Sequence, residues 1–239
     1  MAERSLIHQL RHHPWSVTVR RAAEIQSSLA THVSLTPLTG PPTIVAGMDT
    51  AERNGRIFVA IVVMEASSGK VIEIQYESGV PHFPYLPGYR AFRDGPIMQK
   101  AVAQLRHDPQ LYFIVGQGVC HPRACGLATH IGLRLDIPTI GCARERLVGH
   151  YDPPGENRGD YAVIRYSPQA PGVVLRTREG TKPIFVSPGH RIDLLGAIEQ
   201  TLRFCTPYRI PEPLRRAHIE AGRHMRQRTL GMAATRGSK

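Results

Sequence analysis

The stretch TIVAGMDTAERNGRIFVAIVVMEASSGKVIEIQYES, residues 43–78, decides the fold class. It contains three β-rich runs, 43–51, 56–65 and 70–78, which an Asn-Gly pair and a Ser-Gly pair separate. Such pairs favour the tight turns of β-hairpins. The stretch therefore predicts an antiparallel meander whose first strand is central in the sheet and carries Asp49 at its end.

Strand and helix patterns alternate along the rest of the chain. Apolar runs predict strands within 111–115, 138–143, 160–167, 172–177 and 182–187. Apolar residues at helical spacing predict helices within 89–108, 122–136 and 191–204. A Gly-Pro pair interrupts the first of these patterns and leaves either one helix or two. This alternation is typical of an α/β fold.

The composition narrows the classes of partner. The chain has 239 residues, 41% of them hydrophobic, which is enough to bury a core. Its formal net charge of +11 attracts polyanions, of which nucleic acid is the commonest. The four cysteines lack Cys-x-x-Cys spacing and predict free thiols. No apolar run approaches the ~20 residues that span a bilayer, so we expect a cytoplasmic monomer that does not enter membranes.

Both ends of the chain are polar and basic. We predict a basic, flexible N-terminal segment over 1–20, a single domain over 21–225, and a flexible basic tail over 226–239. Five arginines near the C-terminus are candidates for contact with backbone phosphate, or for a solvated helix face: Arg215, Arg216, Arg223, Arg226 and Arg228.

One carboxylate stands where metal-assisted chemistry would need it. Catalytic groups in open α/β sheets lie at the carboxyl ends of strands, which is where Asp49 stands, although an Asp there can also serve only a turn or a cap. Asp94, in FRDGP, is on spacing alone better interpreted as a cap of the Gly-Pro turn. The strand 111–115, in contrast, ends at Val115 and runs into Gly-Gln-Gly without a carboxylate.

Five segments together indicate a family. VAGMDTA, FPYLPGYRAFRDGP, GVCHPRACGLATHIG, IPTIGCARERLVG and KPIFVSPGHRIDL resemble, in order and spacing, signature blocks of the endonuclease V family. The resemblance covers about residues 20–225. It implies a ribonuclease H-like fold with a central mixed sheet flanked by helices. It also implies hydrolysis of a phosphodiester near a deaminated base, chiefly inosine, in DNA or RNA, with Mg²⁺ or alternatively Mn²⁺ as cofactor.

The resemblance also implies roles for single residues. Asp49 and Asp94 become candidate metal ligands and, with His190, candidate catalytic residues; His190 matches the family histidine near the metal. Asp94 stands where the family usually has Glu, one methylene longer. Val115 stands where the family pattern would read VDGQG, so the third carboxylate of the family is missing.

A further set of residues is expected to bind nucleic acid. Pro84, Tyr85, Leu86 and Pro87 match the family wedge, which enters the duplex where a base has been displaced. Gly116, Gln117, Gly118, His121 and Arg123 are expected to form a pocket for a flipped base and its phosphate. Arg144 stands where the family usually carries Lys and keeps the positive charge.

Two functions remain open on the sequence. The first is a Mg²⁺-dependent endonuclease, since Mg²⁺ can bind through one or two carboxylates plus substrate phosphate and water. The second is a nucleic-acid-binding relative with weak or no catalysis, because Val115 removes an anionic ligand and Asp94 is short. We favour the nuclease slightly, because Asp49 and His190 are retained.

Overall fold

The fold is built on one eight-stranded mixed sheet, seen in a computed structural model that describes residues 11–236. The strands are β1 (Ile44–Arg53), β2 (Arg56–Glu65), β3 (Val71–Gly79), β4 (Leu111–Val115), β5 (Thr139–Ala143), β6 (Tyr161–Val163), β7 (Val173–Leu175) and β8 (Ile184–His190). Their order across the sheet is β3-β2-β1-β4-β5-β8-β7-β6. The predicted central mixed sheet is therefore confirmed.

The meander forms as the sequence predicts. β1 pairs antiparallel with β2 along its whole length, and β2 pairs antiparallel with β3. β2 is buried from Ile57 to Met64, because it is flanked by strands on both sides and covered on both faces. β1 continues past Asp49 to Arg53, so Asp49 lies within the strand and not at its last residue.

Strand direction decides which side chains can meet. β4 is parallel to β1, and β5 is parallel to β4, so these three strands end at the same edge of the sheet, called here the carboxyl edge. β8 is antiparallel to β5. The last residues of β8 therefore lie at the opposite edge.

Helices cover both faces of the sheet. They are α1 (Val19–Ala30), α2 (Arg90–Val102), α3 (Leu127–Leu135), α4 (Leu194–Phe204) and α5 (Glu212–Arg236). α4 and the start of α5 pack on one face, where Val45 and Phe113 lie. α2 and α3 pack on the other, where Met48 and Ile114 lie. α1 forms an additional layer outside α2 and α3.

The interrupted pattern in 89–108 forms the single helix α2, which contains Pro96 and is one of the two alternatives that the sequence leaves open. Two other features differ from the sequence predictions. Residues 226–236, predicted as a tail, continue α5. Residues 11–20, predicted as a basic segment, pack onto the domain, since the rings of His13 and Trp15 contact Phe92. The predicted segments 1–10 and 237–239 lie outside the described residues. Among residues 11–236, no helix has both the length and the apolarity needed to cross a membrane.

Candidate functional site

A cleft with a volume of about 440 Å³ opens at the carboxyl edge, where β4 ends and β1 continues. Nine of the residues considered from the sequence line it: Asp49, Tyr85, Leu86, Pro87, Val115, Gly116, Gln117, His121 and Arg144. Its walls also contain Arg90, Arg146 and His218, which the sequence analysis did not single out.

Asp49 is the buried carboxylate of the cleft, whose wall also contains the exposed Glu145. It is only 4% exposed, and its Oδ1 accepts a hydrogen bond of 2.6 Å from the amide of Thr50. Its Oδ2 lies 3.0 Å from Nδ1 of His218. Both carboxylate oxygens therefore already have partners within the protein.

His218 reaches Asp49 because α5 lies directly on β1. At Gly47, an added Cβ would meet the backbone of Pro213 at 2.0 Å, so only glycine permits this approach of the helix to the strand. Leu214 and Ala217, in the first two turns of α5, are buried against the sheet. The helical spacing of these apolar residues beside His218 is the signal that could have indicated this histidine from the sequence.

Asp94 does not join Asp49 in the cleft. Side chains of a strand alternate between its faces, so Asp49 faces α5 while Thr50 faces α2. Asp94 lies on α2, is 1% exposed, and accepts a weak 3.3 Å hydrogen bond from the hydroxyl of Thr50. Two arginines hold its carboxylate: Arg90 Nε is 2.7 Å from Oδ2 and Arg93 Nη1 is 3.4 Å from Oδ1. This buried carboxylate is already neutralised by cations of the chain itself.

Arg90 places a positive charge in the wall of the cleft. Besides its ion pair with Asp94, its Nη2 donates a hydrogen bond of 2.8 Å to Thr50 Oγ1. Its Nη1 forms no hydrogen bond within residues 11–236 and lies 3.6 Å from where a Cβ on Gly116 would stand. The guanidinium therefore reaches from α2 to the end of β4.

Val115 lies level with Asp49 on the neighbouring strand. Met48 is paired with Ile114, so the next residue of each strand reaches the carboxyl edge together. Val115 lines the cleft with an apolar side chain. In the described part of the chain, no three or more His, Cys, Asp or Glu side chains cluster so that they could hold a metal ion.

His190 lies at the opposite edge of the sheet, which corrects its predicted place beside the metal site. It pairs with Thr139, the first residue of β5, because β8 and β5 are antiparallel. Its Nε2 is 3.2 Å from Asp136, and its Nδ1 accepts a hydrogen bond from the amide of Ser34. Burial lowers the pKa of His190.

In the loop after β4, the backbone amides of Gly116 and Gly118 form hydrogen bonds within the protein. Gly116 has a φ of 109°, a conformation that favours glycine. Its amide donates to the carbonyl of Cys142, and the amide of Gly118 donates to Ser187 Oγ. Of the predicted pocket, Gly116 and Gln117 line the cleft, whereas Gly118 does not. The amides of Gly116 and Gly118 are thus committed to the fold.

His121 and Arg123 anchor the loop that carries the predicted wedge. Both donate to the carbonyl of Gly88, at 2.9 Å from His121 Nε2 and 2.8 Å from Arg123 Nη2. Burial lowers the pKa of His121 to about 4, so this side chain is neutral at pH 7. Arg123 also stacks on Tyr89 and does not line the cleft.

The predicted wedge stands at the mouth of the cleft. Tyr85, Leu86 and Pro87 line it, while Pro84 does not. The ring of Tyr85 is 67% exposed, and the guanidinium of Arg93 lies 5.5 Å from its centroid. Arg144 lines the other side of the cleft, at the end of β5. An exposed aromatic ring thus lies close to several cationic side chains, an arrangement suited to stacking a base and holding its phosphate.

Comparison with known proteins gives the family. The model of the Endonuclease V family matches residues 27–219. Endonuclease V of Kosmotoga olearia is 40% identical over 208 residues, which cover 87% of this chain and 92% of that protein. The crystal structure of Endonuclease V from Streptomyces avermitilis matches with a TM-score of 0.85 at 37% identity, covering 90% of this chain and 96% of the other.

A more distant structure shares the fold. Endonuclease V of Ciona intestinalis, in complex with a 24mer DNA containing an inosine followed by a ribo-adenosine, matches with a TM-score of 0.78 at 22% identity. The match covers 87% of this chain and 98% of that one. The structural likenesses confirm the ribonuclease H-like fold. Because the family model matches most of this chain, the chain belongs to the Endonuclease V family.

Proposed function

We propose that this protein binds nucleic acid containing a deaminated base, chiefly inosine, in the cleft at the carboxyl edge, with weak or no metal-dependent cleavage. The observation that carries the proposal is the ion pair between Asp94 and Arg90, which lines the same cleft as Val115. This ion pair favours the binding protein over the nuclease that the sequence slightly favours. The family implies a Mg²⁺-dependent reaction, which requires side chains that can hold this ion.

The side chains present do not fit a resident Mg²⁺ ion. Mg²⁺ binds oxygen ligands in near-octahedral geometry, usually through carboxylates. The cleft offers Asp49, whose two oxygens are engaged by Thr50 and His218. It also offers the exposed Glu145, but among the described residues no cluster of three or more candidate ligands forms around either carboxylate. Asp94 is paired with arginines, and Val115 has no oxygen in its side chain. A guanidinium in the same wall adds electrostatic repulsion to any approaching cation.

The features that support nucleic-acid binding do not depend on the metal. The net charge of +11 attracts a polyanion. The exposed ring of Tyr85 can stack on a base, and Arg144 and Arg146 can contact backbone phosphates. The relative from Ciona intestinalis is complexed with DNA that contains inosine. We extend this ligand class to the present chain as a proposal that includes both DNA and RNA.

Equilibrium binding with EDTA present tests this proposal. Single- and double-stranded DNA and RNA carrying one inosine are compared with the same sequences carrying adenine. We expect at least about tenfold tighter binding of one inosine ligand than of its adenine counterpart, since a mismatched or damaged base costs up to a few kcal/mol less to displace onto the ring of Tyr85. Tyr85→Ala should lose most of this preference. Tyr161→Ala, which removes an exposed tyrosine outside the cleft, should retain it. Equal affinity for inosine and adenine in all ligands would contradict the proposal.

Asp49 favours a second candidate function, Mg²⁺- or Mn²⁺-dependent cleavage near the inosine. It is a buried carboxylate that faces the cleft, as a hydrolytic site of this family requires. Single-turnover cleavage of the inosine ligands with each ion tests this alternative. Cleavage by the wild type that Asp49→Asn abolishes, with binding retained, would establish the nuclease in place of the binding protein.

A further inference from the structure

We propose that the guanidinium of Arg90 is a built-in cation of the cleft, which binds a backbone phosphate of the nucleic acid without a metal ion. This inference rests on the proposed function and gives it a specific contact. Arg90 is held from two sides, since Nε donates to Asp94 and Nη2 donates to Thr50. Its orientation is therefore fixed before any ligand arrives, which lowers the entropic cost of binding.

The remaining nitrogen of Arg90 is the one that faces a ligand. Nη1 has no hydrogen-bond partner among residues 11–236, and the side chain keeps 32% of its surface exposed in the wall of the cleft. Because Nη1 belongs to a positively charged guanidinium, it forms its strongest hydrogen bonds with an anion such as a phosphate oxygen. Gly116 adds no side chain that could cover it.

Residue 115 leaves that nitrogen available. Residue 115 lines the same cleft as Arg90, so a carboxylate there would attract this guanidinium and compete with any ligand phosphate. Val115 has no group that can do so. Arg90 and Val115 therefore complement each other: one brings the positive charge into the cleft, and the other leaves it unpaired on the ligand side.

A guanidinium and a metal ion differ in what they can do at a phosphate. Both attract the anion, and arginine does so through directed hydrogen bonds. A guanidinium coordinates no water and keeps its protons at any ordinary pH, so it cannot supply a hydroxide nucleophile. The substitution of one cation by the other thus predicts phosphate binding that persists when divalent ions are removed.

The experiment combines a protein variant with a ligand variant. Affinity for the inosine oligonucleotide is measured in EDTA and in Mg²⁺, for wild type, Arg90→Gln and Arg90→Lys. A single neutral methylphosphonate is then moved through the linkages on both sides of the inosine. Arg203→Gln is the matched control, because it also removes one positive charge, on an exposed side chain outside the cleft. Thermal melting establishes that each variant is folded.

The expected results are specific. Wild-type affinity changes less than about twofold between EDTA and Mg²⁺. Arg90→Gln loses about tenfold or more, as expected for a hydrogen bond between charged groups. Arg90→Lys loses less, and Arg203→Gln less than about twofold. One methylphosphonate position weakens wild-type binding by the same factor as Arg90→Gln and has no further effect in that variant.

The outcomes separate this inference from the function on which it rests. Absence of any inosine preference in the wild type overturns the proposed function. A retained preference with no sensitive methylphosphonate position, or with equal losses in Arg90→Gln and Arg203→Gln, overturns only the role of Arg90. Loss of wild-type affinity in EDTA also overturns it. The methylphosphonate series uses wild-type protein, so the absence of a sensitive position overturns the role of Arg90 even if an Arg90 variant does not fold.

Discussion

At the scale of the residue, we expect Val115 and Arg90 together to keep a divalent cation out of the cleft. Val115 lies level with Asp49, and the guanidinium of Arg90 extends to the neighbouring Gly116. A new carboxylate at 115 would therefore have two competing partners, the arginine already present and an added metal ion. The arginine is fixed in place by Asp94 and Thr50, so it has the advantage.

This competition gives a prediction for metal binding. Val115→Asp alone should form an ion pair with Arg90 and show no rise of the melting temperature with Mg²⁺. Val115→Asp combined with Arg90→Leu should gain such a rise, about 5–10 °C with Mg²⁺ at 100 times its dissociation constant. Melting curves with and without Mg²⁺ check this. Val115→Asn with Arg90→Leu is the neutral control. A Mg²⁺ response in the single variant equal to that of the double variant would show that Arg90 does not occupy the cation position.

At the scale of the element, α5 completes the site. It crosses the face of β1 and delivers His218 to Asp49. The approach depends on Gly47, where the backbone of Pro213 occupies the space of a side chain. The glycine in VAGMDTA thus serves the contact between helix and strand and, through it, the position of the histidine.

The Gly47→Ala variant tests that contact. The added Cβ overlaps the backbone of α5, which must move away, so the free energy of unfolding should fall by about 1–3 kcal/mol or more. Gly40→Ala is the control, since nothing lies within 4 Å of a Cβ there, and its change should stay within about 0.5 kcal/mol. Urea denaturation measures both. Equal stability of the two variants would mean that α5 does not approach β1 as described.

The elements also show what the sequence could predict. The meander followed from β-branched runs and turn pairs, because these are local signals. The direction of β8 is not local, since it depends on which neighbour the strand pairs with, and the family match alone could not show that His190 lies away from the cleft. From the sequence, a helix over α5 is only one of two interpretations of its five arginines, because the exposed residues of α5 are polar and basic. The sequence does allow the pairing of Arg90 with Asp94, since the two are at positions i and i+4 of a predicted helix.

At the scale of the whole molecule, three buried histidines link stability to pH. Nδ1 of His13 donates to the carbonyl of Pro14, so its Nε2 accepts a 2.7 Å hydrogen bond from Nε2 of His130. Within residues 11–236, Nδ1 of the buried His130 has no hydrogen-bond partner. Burial lowers the pKa of His13 and of His121 to about 4, and that of His130 well below its ordinary value. The fold therefore requires all three rings to be neutral.

The sign of the pH effect follows from these pKa values. In the unfolded chain each histidine takes up a proton near pH 6.5, whereas in the folded protein His13 and His121 do so only near pH 4. Between these values the unfolded state binds more protons, so stability is full above about pH 6.5 and falls as the pH decreases toward 4. By pH 5 the loss is about 2 kcal/mol for His13 and for His121, and the lowered pKa of His130 acts in the same direction. Urea denaturation at pH 7.5, 6 and 5 measures this loss.

His130→Gln, which keeps a donor for His13, should show a smaller difference between pH 7.5 and 5 than the wild type. His82→Gln, at an exposed position, should match the wild type. If the wild-type stability is the same at pH 7.5 and 5, the three rings do not titrate as their burial requires.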